Sequence, residues 1–119
     1  MEFKGNIEEI TKKNKLYRRV LHTNANQQLV VMNLLPLQEI GLEVHPNTSQ
    51  FIRVEDGKGI AVINGNRYFL KDGDAVIVPA GSYHNILNTS RKDCLKIYTL
   101  YSPPHHPRDY RQKVKHKED

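Results

Sequence analysis

Short runs of alternating apolar and polar residues extend along most of the chain, a pattern typical of β-strands. About nine such runs are predicted, separated by turns rich in Gly, Pro, Asn and Asp. They cover residues 17–23, 28–35, 41–45, 50–55, 58–63, 67–70, 75–78, 84–87 and 94–101. The segment Asn64-Gly65-Asn66 between two runs indicates a hairpin, because Asn and Gly tolerate a positive φ. The pattern therefore predicts an antiparallel β-sandwich or barrel.

Two segments depart from simple alternation. Residues 7–15 are predicted to form a short helix, with Asn6 as its N-cap and two acidic residues in its first turn. Residues 75–78 are apolar at every position, which predicts a strand buried on both faces.

The length of 119 residues is enough for one domain with a single core. We expect a helical lead-in over residues 1–16, a barrel over 17–104 and a basic tail over 105–119. The tail has a single aliphatic residue, Val114, so it is expected to add little to the core. Disorder and a path across the domain surface both agree with its composition.

The net charge of +5 is concentrated in residues 12–19 and 108–117. Basic clusters of this kind can bind nucleic acid, but aromatic residues do not interleave with these charges, so solvated surfaces are expected. No apolar run is long enough to span a membrane, and the N-terminus lacks the apolar core of a secretory signal. A cytoplasmic location without nucleic-acid or membrane partners is the expectation.

The candidate chemistry lies around one predicted strand. Glu43 and His45 are two residues apart, so in an extended strand both side chains leave the same face. Gln50 opens the next strand after a short polar break, and His84 lies at the start of a later one. A carboxylate, two imidazoles and an amide oxygen could thus meet at one point.

Five residues at fixed offsets follow the pattern G-x5-P-x-G-x2-H-x3-N: Gly73, Pro79, Gly81, His84 and Asn88. This pattern resembles the second motif of the cupins. The first cupin motif, H-x-H followed by a Glu and a Gly, is similar to the segment in which Glu43 and His45 take the histidine positions, Gln50 takes the Glu position and Gly57 follows. The resemblance covers roughly residues 28–102. A glycine that usually precedes the first motif is replaced by Leu37.

The resemblance implies a jelly-roll β-barrel with a metal in its mouth. Carried over by position, the metal ligands would be Glu43, His45, Gln50 and His84, around one divalent ion of Fe, Zn, Ni or Mn. Glu43 could instead be a catalytic general base. Gln50 could bind the metal through its carbonyl oxygen or orient a water or substrate from outside the ligand shell.

The resemblance also implies activity on a small molecule, as a metal-dependent dioxygenase or as a sugar or sugar-phosphate isomerase. Short cupins of this appearance are often called mannose-6-phosphate isomerase-like, a label that rests on fold analogy. The alternatives are a non-catalytic barrel that binds a small ligand, and a structural unit of an assembly. A homodimer is expected, with residues 17–35 as candidate edge strands. The pair His105-His106 is expected to be solvated, although it could fold back toward the barrel mouth.

Overall fold

The computed structural model describes residues 1–116, and its first regular element is the predicted helix. Helix α1 spans Ile7–Lys13. The side chain of its N-cap, Asn6, accepts a hydrogen bond from the backbone N–H of Glu9, as predicted. The helix ends two residues earlier than predicted because Asn14 already has an extended backbone, with ψ of 129°. Nowhere in the described part of the chain is a helix long and apolar enough to cross a membrane.

Ten strands form most of the remaining structure. They are β1 (Arg18–Thr23), β2 (Gln28–Leu34), β3 (Glu43–Val44), β4 (Ser49–Asp56), β5 (Lys58–Ile63), β6 (Asn66–Lys71), β7 (Ala75–Val78), β8 (Tyr83–Asn88), β9 (Leu95–Ser102) and β10 (Arg111–Gln112). All nine predicted strands are present. Strand β10 is additional and lies in the predicted tail.

The strands form two sheets whose paired neighbours are all antiparallel. A six-stranded sheet has the order β10-β1-β2-β9-β4-β7, and a four-stranded sheet has the order β3-β8-β5-β6. The predicted hairpin joins β5 to β6, where Ile63 pairs with Asn66 across the turn. This arrangement confirms the predicted all-β antiparallel jelly-roll with a short N-terminal helix.

The hydrophobic core fills the space between the two sheets. Alternate residues of the central strands point inward, which is why β4 and β9 are buried at every second position. The core members with no exposed surface are Val30, Met32, Leu34, Ile52, Val54, Ala61 and Leu95. At one end of the barrel, polar residues replace these apolar side chains. Gln50 and Tyr101 lie at this end and pair across β4 and β9.

Strand β7 corrects one prediction. Its four apolar residues were expected to be buried on both faces, but β7 is an edge strand of the larger sheet. The side chain of Ile77 is 66% exposed, and only Val78 in this strand is buried. An unbroken apolar run does not reveal whether a strand is central or lies at an edge, because edge position depends on which strands pair.

The tail takes the second of the two paths left open by its composition. Strand β10 pairs with β1 and covers the edge of the larger sheet. The backbone N–H of Val20 donates to the carbonyl of Tyr110 at 2.8 Å, and that of Tyr17 donates to the carbonyl of Lys113 at 3.0 Å. Gln112 is buried. We call residues 103–116 the C-terminal strap; residues 117–119 of the predicted tail lie outside the described residues.

Two motif positions show what the backbone requires there. Gly57 has φ of 98°, and a Cβ at this position would lie 2.5 Å from the carbonyl oxygen of Cys94, so no other residue fits without a shift. Leu37, which stands where the cupin pattern has glycine, still has φ of 62°. The left-handed backbone at this position is thus adopted without a glycine, at a cost in strain.

The motif residue Asn88 fastens the end of β8 to the loops around it. Its side-chain amide donates to three backbone carbonyls, and its oxygen accepts a hydrogen bond from the N–H of Ser90. Asn88 therefore ties the end of β8 to the turn that follows it and to the end of β2.

Candidate metal centre

Strands β3 and β8 bring the predicted carboxylate and imidazoles together. Glu43 pairs directly with His84 across these strands. His45 follows β3 by one residue, and Val44 between them points outward, with 37% of its surface exposed. Glu43 and His45 therefore share the inner face, as the alternation of an extended strand predicts.

The donor atoms of these three residues converge. The Nε2 atom of His45 lies 3.7 Å from Oε1 of Glu43, and Nε2 of His84 lies 3.9 Å from the same oxygen. One ligand atom from each residue falls within 4.8 Å of the other two. Ligands about 2.0–2.2 Å from one metal ion are separated by about 3–4 Å. The cluster can therefore hold a metal ion with small adjustments.

The ring of His84 is held in one orientation by its own strand. Its Nδ1 lies 3.0 Å from the carbonyl oxygen of Ser82. Since a carbonyl only accepts hydrogen bonds, Nδ1 is the donor, and in the neutral form of the ring this leaves the lone pair on Nε2. A backbone partner on the far nitrogen is the usual support of a metal-binding histidine.

Three buried polar atoms support a metal at this place. Nε2 of His45, Nε2 of His84 and Oε1 of Gln50 have no hydrogen-bond partner within residues 1–116. Buried polar atoms without a partner are costly, and native proteins rarely keep them without a reason. A cation held by the cluster would satisfy the two Nε2 atoms.

Gln50 lies beside this cluster at the start of β4. It is 3% exposed, and its Nε2 donates to Oγ1 of Thr99 at 3.0 Å, which leaves the carbonyl oxygen available. Its pairing partner Tyr101 packs edge-on against the ring of His45, with centroids 5.9 Å apart. The role of Gln50 as a direct ligand stays a prediction.

The surroundings of Glu43 favour its ionised form. Burial alone would raise its pKa, but the interaction with His45 and the charges of Arg18 and His84 outweigh burial, so the pKa lies below its usual value. A carboxylate that is ionised at neutral pH is the form that binds a metal. The predicted role of Glu43 as a general base is not tested by this geometry.

The C-terminal strap contributes to the site, which sequence analysis did not expect. The ring of His105 lies on the ring of His45, with centroids 4.1 Å apart. His106 packs against Tyr101 at 5.1 Å. Burial lowers the pKa of both strap histidines, that of His106 to about 3, so both rings are neutral at pH 7. His106 is partly buried, so the expectation of a solvated pair was wrong for this residue, whereas His105 stays exposed while it contacts His45.

A single buried glutamine holds this part of the strap. The side-chain oxygen of Gln28 accepts hydrogen bonds from the backbone N–H groups of His105 and His106, at 3.1 and 2.8 Å. Its amide donates to the carbonyl of His106 at 2.7 Å. Gln28 has no exposed surface. In the sequence, the two prolines before His105 were the only signal of a turn back toward the barrel.

Arg18 is a second residue that sequence analysis assigned differently. It belongs to the basic cluster that was expected to be solvated, yet only 6% of it is exposed. Its partner in that cluster, Arg19, is half-buried and points to the opposite face of β1. The alternation of β1 could have indicated this, because Arg18 is in register with the buried Val20.

Comparisons with known proteins agree with this fold. The chain is 46% identical over 105 residues to an uncharacterized protein of Acanthamoeba polyphaga mimivirus, covering 86% of this chain and 66% of that protein. The crystal structure of BH2720 from Bacillus halodurans superimposes with a TM-score of 0.92 at 36% identity, covering 95% of this chain and 89% of that one. The chain thus spans about two thirds of its mimivirus relative.

A shorter match is to an enzyme. Over 59 residues the chain is 39% identical to the quercetin 2,3-dioxygenase of Bacillus subtilis, covering 50% of this chain and 18% of that protein. The family model of the cupin domain matches residues 30–101, which include both motifs and the cluster of Glu43, His45 and His84. The chain belongs to the cupin domain family.

Proposed function

We propose that this protein is a metal-dependent enzyme that acts on a small molecule, with chemistry of the dioxygenase type. The observation that carries the proposal is the convergence of Glu43, His45 and His84, with both Nε2 atoms buried and without a hydrogen bond in the described chain. The 39% identity to quercetin 2,3-dioxygenase over 59 residues supports the choice of reaction class.

The ligand types favour oxygen chemistry. Two imidazoles and one carboxylate on one side of a metal form the set found in mononuclear non-haem iron oxygenases, which leaves positions open for substrate and dioxygen. A metal bound here would supply Lewis acidity and, as iron, a place for dioxygen to react. The formal charge of the three protein ligands is −1, so a divalent ion would keep a positive charge toward the substrate.

The protein residues would prepare this site before the substrate arrives. Ser82 fixes the ring of His84 through its carbonyl, and Thr99 fixes the amide of Gln50. The carbonyl oxygen of Gln50 can then bind the metal or orient a water or substrate group. The rings of Tyr101 and His105 pack against His45, whose side chain is buried.

Metal content is the direct test. Untagged protein purified without chelator is expected to contain about one equivalent of iron by elemental analysis. His84→Ala is expected to lose the metal, because it removes a buried ligand. His22→Ala is the matched control, since His22 lies on β1 and contacts Phe3, outside the cluster. It is expected to keep the wild-type content.

The outcomes separate the alternatives. Iron that is lost only in His84→Ala supports the proposal and justifies oxygen-consumption assays with small phenolic and carboxylic substrates. Zinc, nickel or manganese at one equivalent would favour the isomerase alternative. Wild-type protein that stays metal-free after reloading would contradict the proposal and leave a non-catalytic ligand-binding barrel.

We further propose a homodimer, but through other strands than residues 17–35. Strand β2 lies inside its sheet and β1 is covered by β10, so neither offers a free edge. Strands β6 and β7 are edge strands and carry the exposed side chains Phe69 (79%) and Ile77 (66%). Sedimentation of the wild type beside Phe69→Lys tests this: a dimer that becomes a monomer is expected.

A further inference from the structure

The buried arginine of β1 has incomplete bonding. The Nη1 atom of Arg18 donates to Oε1 of Gln112 at 3.0 Å, and its guanidinium carbon lies 5.1 Å from the ring centre of Tyr17. Its Nε atom is buried without a hydrogen-bond partner in residues 1–116. Within the same residues no carboxylate forms an ion pair with it. A buried cation without an anion is strongly unfavourable, so a retained one needs an explanation.

Arg18 is connected to the metal centre by a continuous set of polar contacts. Its partner Gln112 also accepts a hydrogen bond from the hydroxyl of Tyr110 at 3.2 Å. Tyr110 stacks on His106, with centroids 6.2 Å apart. His106 in turn contacts His105, which lies on His45. Arg18 is therefore linked to the cluster through side chains of the strap.

The charge of Arg18 reaches the same groups. It lowers the pKa of Glu43 and of His106, in each case as a smaller influence than burial. Arg18 supplies one positive charge to this contact set, and Glu43 supplies one negative charge. A divalent metal added to this set would leave a net positive charge, which favours an anionic ligand.

We propose that Arg18 binds a carboxylate group of the substrate, and that the enzyme therefore acts on small carboxylic acids. The inference deepens the proposed function, on which it rests for placing the ligand beside the metal. Because Gln112 occupies Nη1, the guanidinium edge that includes Nε is the one left for an anion. A guanidinium edge matches the two oxygens of a carboxylate with parallel hydrogen bonds.

A carboxylate fits this place better than a phosphate does. Phosphates in proteins are usually held by several donors together, such as the N–H groups of a glycine-rich loop or a helix N-terminus. The neighbours of Arg18 in the contact set above are an amide, phenols and neutral imidazoles, and Arg18 is its single cation. One guanidinium edge is sufficient for a carboxylate.

A purely structural role is the competing explanation. Arg18 pairs with Gln112 across β1 and β10, so its side chain could serve only to fasten the strap. A fastening residue would change stability when replaced. It would not distinguish a charged ligand from a neutral one of the same shape.

Calorimetric titration with malonate, malonamide and inorganic phosphate tests the proposal on metal-loaded and on metal-free protein. Wild-type protein is expected to bind malonate and not malonamide. Arg18→Gln is expected to weaken malonate binding by about 10- to 100-fold, as for loss of hydrogen bonds to a charged group. Arg18→Lys keeps the positive charge but lacks the paired N–H donors of the guanidinium. Its affinity for malonate is expected to lie between those of the wild type and Arg18→Gln. Arg19→Gln, with the same charge change on the opposite face, is expected to stay within about twofold.

Three results would overturn the assignment: equal binding of malonate and malonamide, tighter binding of phosphate than of malonate, or wild-type affinity in Arg18→Gln. If Arg18→Gln does not fold, the wild-type ligand comparison and Arg18→Lys still decide. Malonate binding that needs Arg18 in a protein that never binds metal would contradict the proposed function and uphold this inference. Protein that binds one equivalent of metal but does not prefer malonate over malonamide would agree with the proposed function and contradict this inference.

Discussion

The candidate metal centre and the C-terminal strap meet at the ring of His45, yet they are built in different ways. Glu43 and His84 face each other because two neighbouring strands pair in one register. The strap reaches the same place because Gln28, a residue about 77 positions earlier, binds its backbone. The centre thus depends on strand alternation and local motifs, whereas this part of the strap depends on one distant side chain.

This difference explains which region could be recognised. Side chains alternate between the two faces in every pair of strands. The alternation that brings Glu43 and His84 together therefore leaves a pattern in the sequence. A hydrogen bond from Gln28 to a distant backbone leaves none, because a buried glutamine in a strand looks like any other polar residue of alternating sequence. The two regions are therefore expected to respond differently to substitution: changes at the centre should alter metal affinity, and changes at the strap should alter stability.

The largest effect is expected for Glu43→Gln, which removes the negative charge of the centre and keeps its shape. Metal affinity is expected to fall by more than about 100-fold, since loss of even an outer partner of a ligand costs about 10- to 100-fold. The free energy of unfolding of metal-free protein is expected to change by less than about 1 kcal/mol, because Glu43 is partly exposed. Metal titration and urea unfolding measure the two quantities. Unchanged metal affinity would exclude Glu43 as a ligand.

The opposite response is expected for Gln28→Leu. Its side chain makes four hydrogen bonds, one to Thr23 and three to the strap, and the buried partners would be left unsatisfied. We expect the free energy of unfolding to fall by about 3 kcal/mol and proteolysis to begin within residues 103–116. Metal content is expected to remain at one equivalent.

Gln27→Leu is the matched control for this change, since Gln27 is the exposed neighbour that precedes β2. Its stability is expected to stay within about 0.5 kcal/mol of the wild type. Loss of metal in Gln28→Leu, with retention in Gln27→Leu, would show that strap and centre are one unit.

A pH-dependent difference is expected for His106→Phe. Burial, with the charge of Arg18, lowers the pKa of His106 to about 3, against about 6.5 in the unfolded chain. The neutral ring therefore contributes fully above pH 6.5, and this contribution is lost as the pH falls toward 3. Phe cannot be protonated, so the variant is expected to lose less stability between pH 6.5 and pH 4.

Urea midpoints measured across this range give the slope of stability against pH. The control variant His22→Phe is expected to keep the wild-type slope. Equal slopes in the wild type and both variants would contradict the prediction.

The smallest effect is expected for Leu37→Gly, at the position where the cupin pattern has glycine. Leu37 has φ of 62° and is 61% exposed, so glycine relieves strain and loses little burial. We expect a gain of about 0.5–1 kcal/mol, the relief of left-handed strain less the extra backbone entropy of glycine. Leu35→Gly, at a residue with 51% exposure and no positive φ, is expected to lose stability. A thermal melt of both variants gives the comparison, and a loss of stability in Leu37→Gly would show that its side chain contributes contacts.

Much of the fold could be predicted because its signals are local. Asn64-Gly65 marks the hairpin between β5 and β6, and Gly57 marks a position where a side chain would collide with Cys94. Strand ends were less certain: β3 is two residues long where five were predicted. The sequence of β7 has the pattern of a buried strand, but the strand lies at an edge of its sheet. Its position could not be predicted because the order in which strands pair depends on the whole sheet.

The sequence by itself determined the alternation that faces Glu43 and His45 inward and the antiparallel β architecture, because both follow from periodicity and turn chemistry over a few residues. The jelly-roll and the motif that presents His84 were implied by the resemblance to the cupins. The tertiary structure alone decided that the strap returns to the barrel, that Gln28 holds His105 over the centre, and that Arg18 is buried as a cation beside it. These features depend on contacts between residues about 77 to 94 positions apart, and no local pattern records which distant partner a polar side chain will meet.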